Sequence, residues 1–453
     1  KTINDKRFNW CFNTEKSSNV NNREIFFPRG KGFGGSSSIN GHLYVRGQPD
    51  DYNQWAQLGN HGWSYDDILP YFKKSEFKEN GNVDTRGKDG PLFVSDIVEK
   101  HPICEEFIKG SKELGIETQE DYNSGNQEGI FYYQRTIKNG ARFSAYDAFL
   151  KTAIKRKNVD IKKNTLVLKI IFKAKKAVGL ICERDNKVFQ IYANKEIILC
   201  AGAIGTPHLL QVSGIGNLEY LNQIGIEPVH ENKGVGEGLQ DHYAVRVANR
   251  IKLPNSLNEK ASGYKLVFEI MKWFMFRRGL ISYSPAHVGA FLKSSPEIDF
   301  PDLQFVFTPA SYTEGMIGKL QDHPGITCGV WQSRPQSKGY VRAPSNNIKN
   351  NPIIQPNYLK EKVDQDLLIQ GVKMCRTLLK TSNIEKISVS ETLPGEHIKS
   401  DDEILNFVKN NGATVYHAIG SCRMGVDRSA VVSPSLKIRG LESIRIADAS
   451  IMP

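Results

Sequence analysis

The chain has 453 residues, 39% of them hydrophobic and 24% charged, with 39 Gly and 20 Pro. That is enough to bury a large core in two or three domains, and it excludes collagen-like, disordered and disulfide-dense classes. The formal net charge of +11 raises nucleic acid as a partner, but the stretch from Lys151 to Lys176 holds ten basic residues and one acid, Asp160, nearly the whole surplus. Leu166, Val167, Ile170, Ile171 and Phe172 interleave with it, so it reads as a helix end and strands with solvated lysine faces, not as a phosphate-binding strip.

In chain order, the first 60 residues are loop-rich, with Gly, Ser and Asn clustered from Arg29 to Gly47. Ser64 is a good N-cap for a helix with Asp66 and Asp67 in its first turn, which Pro70 should kink or shorten. A second helix is expected from Pro102 to Leu114, stopped by Gly115, and a third opens at Ser144. Strand grammar follows at Leu166–Phe172, Val178–Cys182 and Ile197–Cys200. The last run leads into a turn and a helix with Thr206 as N-cap, Pro207 at its first position and Gly214 as terminator.

The middle of the chain holds a mixed helix with Trp273, Phe274 and Phe276, then an alternating segment, Asp302 to Phe307. The run Leu266–Phe276 is broken by Glu269 and Lys272 and is far shorter than the ~20 residues a bilayer span needs. Helices are expected at Asp364–Leu379 and Asp402–Lys409, and strands at Leu436–Ile438 and Ile444–Ile446. The seven cysteines stand singly and no Asn-x-Ser/Thr site occurs, which leaves the redox compartment and localisation undecided. The simplest architecture is a nucleotide-type domain built from distant pieces with a second domain inserted between them.

Gly30-Lys31-Gly32-Phe33-Gly34-Gly35 matches G-x-G-x-x-G, with Asp50 at the spacing of a ribose-binding acid. It fails as a Rossmann fingerprint, because Pro28-Arg29 stands where a strand should end and Ser36–Gly41 is a poor helix start. Consecutive glycines still let a backbone pass within hydrogen-bonding distance of a flat or charged ligand.

Arg29–Gly41, continuing through Tyr44-Val45-Arg46-Gly47, combines with Gly202–Pro207, with Gly234-Val235-Gly236 and Gln240-Asp241-His242, with Tyr416–Gly425, and with Ile446–Pro453. Taken together, in this order and over nearly the whole chain, these segments resemble the glucose–methanol–choline (GMC) oxidoreductases, most of all the insect glucose dehydrogenase branch. The resemblance implies a mixed α/β fold: an incomplete Rossmann-like FAD-binding domain with an inserted antiparallel-sheet substrate or cap domain. The expected divisions are 1–244, 245–345, and 346–453 returning to both. It implies bound FAD, with Gly30, Gly34, Gly35, Ser36, Asn40 and Gly41 along the pyrophosphate and toward the ring. Val167 would hold the adenine through its backbone, and Asp448 and Ala449 would lie along the pyrophosphate and ribityl chain. Ile39 stands where one branch has a flavin-linking His, so the FAD is expected to be non-covalent.

Oxidising an alcohol with flavin needs a group that takes the hydroxyl proton while hydride leaves carbon, and His titrates near neutral pH. The resemblance puts His417 in this role, with a sugar or another alcohol as substrate and a quinone-like compound or oxygen as electron acceptor. His42 and His242 read as loop histidines held by hydrogen bonds, and Arg46 as structural, packing on Tyr44. No metal-spaced cluster and no hydrolase triad is present. The family's dinucleotide fingerprint and second active-site residue fall outside this stretch, so the chain is expected to be a fragment that binds FAD poorly and turns over little. A lyase of the same fold and a non-catalytic paralogue remain open, and family resemblance suggests a secreted protein.

Overall fold

The computed structural model describes residues 2–252, 256–313 and 318–453. Helices α1 (Pro49–Gln57) and α2 (Tyr65–Ser75) follow the N-terminal loops. Ser64 and Asp67 form the capping box that the sequence suggests. Pro70 does not shorten α2, which runs five residues past it. Helix α3 spans Pro102–Glu113, and Gly115 stops it at φ +75°. The turn after Ser144 is a π-type turn, Tyr146–Leu150, that passes into a single helical turn, Lys151–Ala153.

An antiparallel sheet follows: β1 (Leu166–Lys173), β2 (Lys176–Arg184) and β3 (Lys187–Tyr192), with β2 in the centre. Most of the lysines between 151 and 176 are exposed, as solvated faces should be. Strand β3 has no counterpart in the sequence reading, because Val188 and Tyr192 face solvent and its apolar residues mark no buried face. Strand β4 (Ile197–Leu199) leads into helix α4 (Gly202–Val212). The helix begins four residues before Thr206. Thr206 is therefore not the N-cap, and Pro207 lies inside the helix.

Strand β5 (Tyr243–Ile251) opens the large antiparallel sheet. Helix α5 (Gly263–Phe276) precedes β6 (Val288–Leu292), β7 (Leu303–Thr308) and β8 (Gly325–Gln332). Helix α6 (Lys362–Leu379), β9 (Ser388–Leu393), α7 (Asp401–Asn411) and β10 (Ile444–Ile446) complete the main elements. The sheet order is β6-β7-β8-β5-β9, and Ala413–Thr414 also pairs with β5. All eight residues of β8 are buried, as expected of a central strand covered on both faces. Helix α6 covers this sheet with Leu368, Val372, Cys375 and Leu379, a helical-period stripe.

A second core forms where β4 and β10 pair in parallel, with Leu210 of α4, Ile170 of β1, Met424 and Val432 packed around them. Leu436–Ile438 makes only isolated bridges, Ile438 to Val432 and Lys437 to Arg445, and is not a strand. The described cysteines are all free thiols.

Candidate active site

His417 sits where two backbone segments run antiparallel. Gln240 and Ile419 exchange both backbone hydrogen bonds, at 3.1 and 2.9 Å, and Tyr243 pairs with Thr414. Between these two ladders the buried carboxylate of Asp241 fastens the turn. Its Oδ1 accepts from the His417 backbone N–H at 2.6 Å, and its Oδ2 accepts from the hydroxyls of Thr414, at 2.5 Å, and Tyr358. Tyr416, just before the histidine, has φ +72°, an uncommon conformation for a bulky residue. It is held there from both sides. Its N–H donates to Thr414 Oγ1 at 2.7 Å, and its carbonyl accepts from Arg29 Nη1 at 2.7 Å.

The tautomers of the two histidines follow from their partners. His242 Nε2 lies 2.9 Å from Ser333 O, a carbonyl that only accepts, so Nε2 carries the hydrogen. Neutral His242 then presents a lone pair at Nδ1, which faces His417 Nδ1 at 3.0 Å. His417 must donate across that contact, which leaves its Nε2 without a hydrogen. The result is a relay from Ser333 through His242 that fixes His417 with a basic nitrogen on its free side.

The His417 residue is exposed, yet protein packs closely around its ring, with His242 and Trp331 beside it. That desolvation, then the neighbouring His242 and Arg29, push its pKa down to about 3, so the ring is neutral at physiological pH. Burial also lowers the pKa of His242. The Trp331 ring stands 6.4 Å from both imidazoles, centre to centre, and walls one side. Arg29 is itself desolvated and lies over the Phe27 ring at 4.6 Å, and its Nε and Nη2 are buried without hydrogen-bond partners.

Three sequence-predicted segments converge beside His417. Gly420 N–H donates to Ala449 O at 3.3 Å and Cys422 N–H to Ser450 O at 2.8 Å, so the His417 segment lies beside Asp448 and Ala449. Arg29 joins the glycine-rich loop to the residue before His417. The Asp448 carboxylate is fully used within the protein. It accepts from Gly202 N–H at 2.9 Å, Thr206 Oγ1 at 2.6 Å and Ser450 N–H at 2.9 Å, and so caps α4. Ser36 Oγ likewise accepts from Gly30 N–H at 3.1 Å. Asn40 is exposed and oriented by Arg142, whose guanidinium donates to its Oδ1 at 2.6 Å and its carbonyl at 2.8 Å. Val167 lies at a bulge between β1 and β2, where the ladder skips a residue and leaves backbone groups unpaired.

The glycine-rich loop is no Rossmann turn. Gly30 makes only an isolated bridge to Asn9, and the loop closes in a 3₁₀ turn, Gly35–Ser38; Asp50 sits in the first turn of α1. FAD nonetheless fits what these segments present. Gly32, Gly35 and Gly202 all have positive φ, and a Cβ on any of them would meet nothing within 4 Å, so bare backbone is open to a ligand. Ile198 and Cys200 beside Asp448, and Phe33 on the loop, expose apolar surface of the kind a flat ring covers.

His242 is bonded as a loop histidine, as expected, and is also the partner of His417, which the sequence reading missed along with the Asp241 clamp. The adjacent pair Asp241-His242 was the available signal. Arg46 meets Tyr44 at its hydroxyl and not over its ring. It ion-pairs with buried Glu76 at 2.9 Å and lies over Phe72, and the guanidinium above Tyr44 belongs to Arg86. His42 has φ +63° and a buried Nδ1 without a hydrogen-bond partner, so it is not the satisfied loop histidine expected. Among the described residues no cluster of His, Cys, Asp and Glu could hold a metal, and no helix is long and apolar enough to cross a membrane.

The N-terminal GMC oxidoreductase family model matches residues 12–244 and the C-terminal one residues 335–453. The chain is 36% identical over 453 residues to an oxygen-dependent choline dehydrogenase of Brucella anthropi, covering 100% of this chain and 82% of that protein. It is 37% identical to an alcohol dehydrogenase [acceptor] of Pseudomonas putida, covering 99% of this chain and 82% of that one. The human mitochondrial choline dehydrogenase is 36% identical over 99% of this chain and 76% of its own length. The chain spans 82% of the first two relatives' length and 76% of the third's. Among solved structures, pyridoxine 4-oxidase from Mesorbium loti superposes with a TM-score of 0.89 at 26% identity, covering 98% of this chain and 84% of that one. A formate oxidase superposes with a TM-score of 0.92 at 24% identity, covering 100% of this chain and 85% of that one.

Proposed function

This chain belongs to the GMC oxidoreductase family, FAD-dependent enzymes that oxidise alcohols, and from that premise we propose that His417 is the base of the reaction. The observation that supports this is the Ser333–His242–His417 relay, which leaves His417 Nε2 as a lone pair on the accessible side of the ring. A substrate hydroxyl placed against Nε2 gives up its proton there. The charge that develops on His417 is shared through Nδ1–H with His242, and nearby Arg29 opposes its retention, so the proton is returned to solvent afterwards. Bound FAD supplies the acceptor for the hydrogen and electron pair that leave the carbinol carbon as the alcohol becomes a carbonyl compound. Asp241 positions His417 through its backbone, and Trp331 excludes water from one side.

We assign FAD contact to Gly30, Gly34, Gly35, Ser36, Asn40, Gly41, Val167, Asp448 and Ala449, held non-covalently. The open face at Gly35, the open neighbours Gly32 and Gly202, and the bulge at Val167 support this assignment. The carboxylate of Asp448 is occupied as a cap, so its contribution falls to its backbone. Residues 1–244 would form most of the FAD-binding part and 245–345 the substrate part, with 346–453 returning to both. The relatives' names favour choline-type and simple alcohols as substrates over glucose, with a quinone-like compound or oxygen as acceptor. The test is dye reduction by the FAD-loaded enzyme with a panel of choline, primary alcohols and glucose. His417→Ala should lose roughly 10²–10⁴-fold in kcat while flavin stays bound. Full activity in that variant would remove His417 from the role.

A further inference from the structure

Helix α5 is turned inside out. Its polar side faces the body of the protein: Glu269 Oε2 accepts from Leu280 N–H at 2.7 Å, Lys272 Nζ lies 3.2 Å from Glu99, and Trp273 Nε1 donates to Gly140 O at 2.7 Å. Its outward side carries Tyr264, Val267, Phe268, Met271, Phe274 and Met275, spaced i, i+3, i+4, i+7, i+10, i+11, one continuous apolar stripe. All six are exposed, Phe274 at 68% and Met275 at 67%, and no residue of the helix is buried. A soluble helix buries such a stripe. Here its fourteen residues lay about 21 Å of apolar surface against solvent.

The chemistry around the stripe says what covers it. Lys265 projects from the helix, and Arg277 and Arg278 close its C-terminal end, all exposed. Among the described residues no carboxylate pairs with any of the three, and Arg277 instead lies over the Trp273 ring at 4.3 Å. A second copy docking through the same face would set these cations against themselves. An apolar stripe rimmed by unpaired cations matches the boundary between acyl chains and anionic headgroups.

We propose that α5 docks the enzyme on the surface of a bilayer containing anionic lipid. The stripe enters the acyl boundary, and Lys265, Arg277 and Arg278 sit at headgroup level. The helix lies in the plane, being too short to cross. The helix itself adjoins the glycine-rich loop through its inward side, because Gly140, which holds Trp273, is two residues from Arg142, which holds Asn40. The inference stands on α5 alone and does not depend on His417.

The test is co-flotation of the purified full chain with vesicles of phosphatidylcholine, with or without phosphatidylglycerol. The expected result is binding to the anionic vesicles that weakens as salt is raised. Phe274→Ser combined with Met275→Ser should weaken it by about tenfold or more. Lys265→Glu combined with Arg278→Glu should remove the preference for phosphatidylglycerol, at about fivefold per charge at low salt. These side chains are exposed, so melting temperatures should hold; if the serine pair fails to fold, the glutamate pair carries the test. Absence of flotation with either vesicle overturns the proposal, as does flotation that neither pair of substitutions changes. So does sedimentation showing a lipid-free dimer that the serine pair dissolves, which would give the stripe to a second copy.

Discussion

Replacing His242 separates its role from that of His417. In the resting enzyme the contact between the two rings is a neutral hydrogen bond, worth about 0.5–1.5 kcal/mol net. Once His417 has taken the substrate proton, the same 3.0 Å contact becomes charge-assisted, about 1.5–3 kcal/mol. The difference, about 1–1.5 kcal/mol, is the part that favours proton transfer, and it corresponds to about 5–13-fold in rate. His242→Ala should therefore slow alcohol oxidation by about tenfold, far less than loss of the base. The assay is single-turnover bleaching of the flavin absorbance on mixing with alcohol, which reads the chemical step without product release. His242→Gln, which keeps an acceptor toward His417 and a donor toward Ser333 O, should recover most of the loss. Three results would refute the reasoning: no loss in the alanine variant, a loss equal to that of His417→Ala, or a glutamine variant no better than alanine.

Other measurements probe the surroundings. Because burial, His242 and Arg29 hold His417 down to about 3, the acid limb of kcat/KM should lie well below the ordinary imidazole range. Arg29→Met removes a neighbouring cation, so that limb should move to higher pH, and an unmoved or lowered limb would contradict the placement. Glu76 bridges the buried guanidiniums of Arg46 and Arg86, so Glu76→Gln should cost about 3–5 kcal/mol in a denaturant melt, and a cost under about 1 kcal/mol would show that the cluster relaxes. Buried His287 and His208 have pKa values lowered to about 3 and about 4 by desolvation. The unfolded chain takes up their protons first, so stability should fall as pH drops below about 6.5, by up to about 1.4 kcal/mol per group per pH unit, and a melting temperature that rises between pH 6.5 and 5 would reverse the sign.

What the sequence made legible was chemistry carried by neighbouring residues. Tyr416-His417 and the glycine-rich run hold their meaning within a few positions, as do Ser64 with Asp67 in α2 and the apolar period of α6. What it hid depended on partners far along the chain. The start of α4 is hidden in the sequence because the group that accepts from Gly202 N–H is Asp448, and nothing near Thr206 signals it. His242 passed for a loop histidine because its second partner lies 175 residues on. Helix α5 was legible as a helix, yet periodicity gives the direction of a stripe relative to the helix and not relative to the rest of the molecule.

The arrangement also explains why the candidate base sits in a turn between two backbone pairings and most of the proposed cofactor contacts sit on loops and turns. A proton acceptor must be held to a narrow orientation, and Tyr416 at φ +72° would relax if left alone. Asp241 opposes that relaxation with three hydrogen bonds from inside the core, and it can do so because Tyr358 and Thr414 bring hydroxyl donors to a carboxylate that would otherwise be costly to bury. A long, flat cofactor asks the opposite of its contacts, backbone without side chains, which the open faces at Gly32, Gly35 and Gly202 provide. Arg29 connects the two regimes. It begins the glycine-rich loop, ends on the carbonyl of Tyr416, and its charge bears on the same imidazole whose backbone Asp241 fixes. A change at Arg29 should therefore alter both how the loop is held and where His417 titrates, whereas a change at Asp241 should act on His417 through its backbone orientation and, by way of the Asp241 charge, on His242 and Arg29.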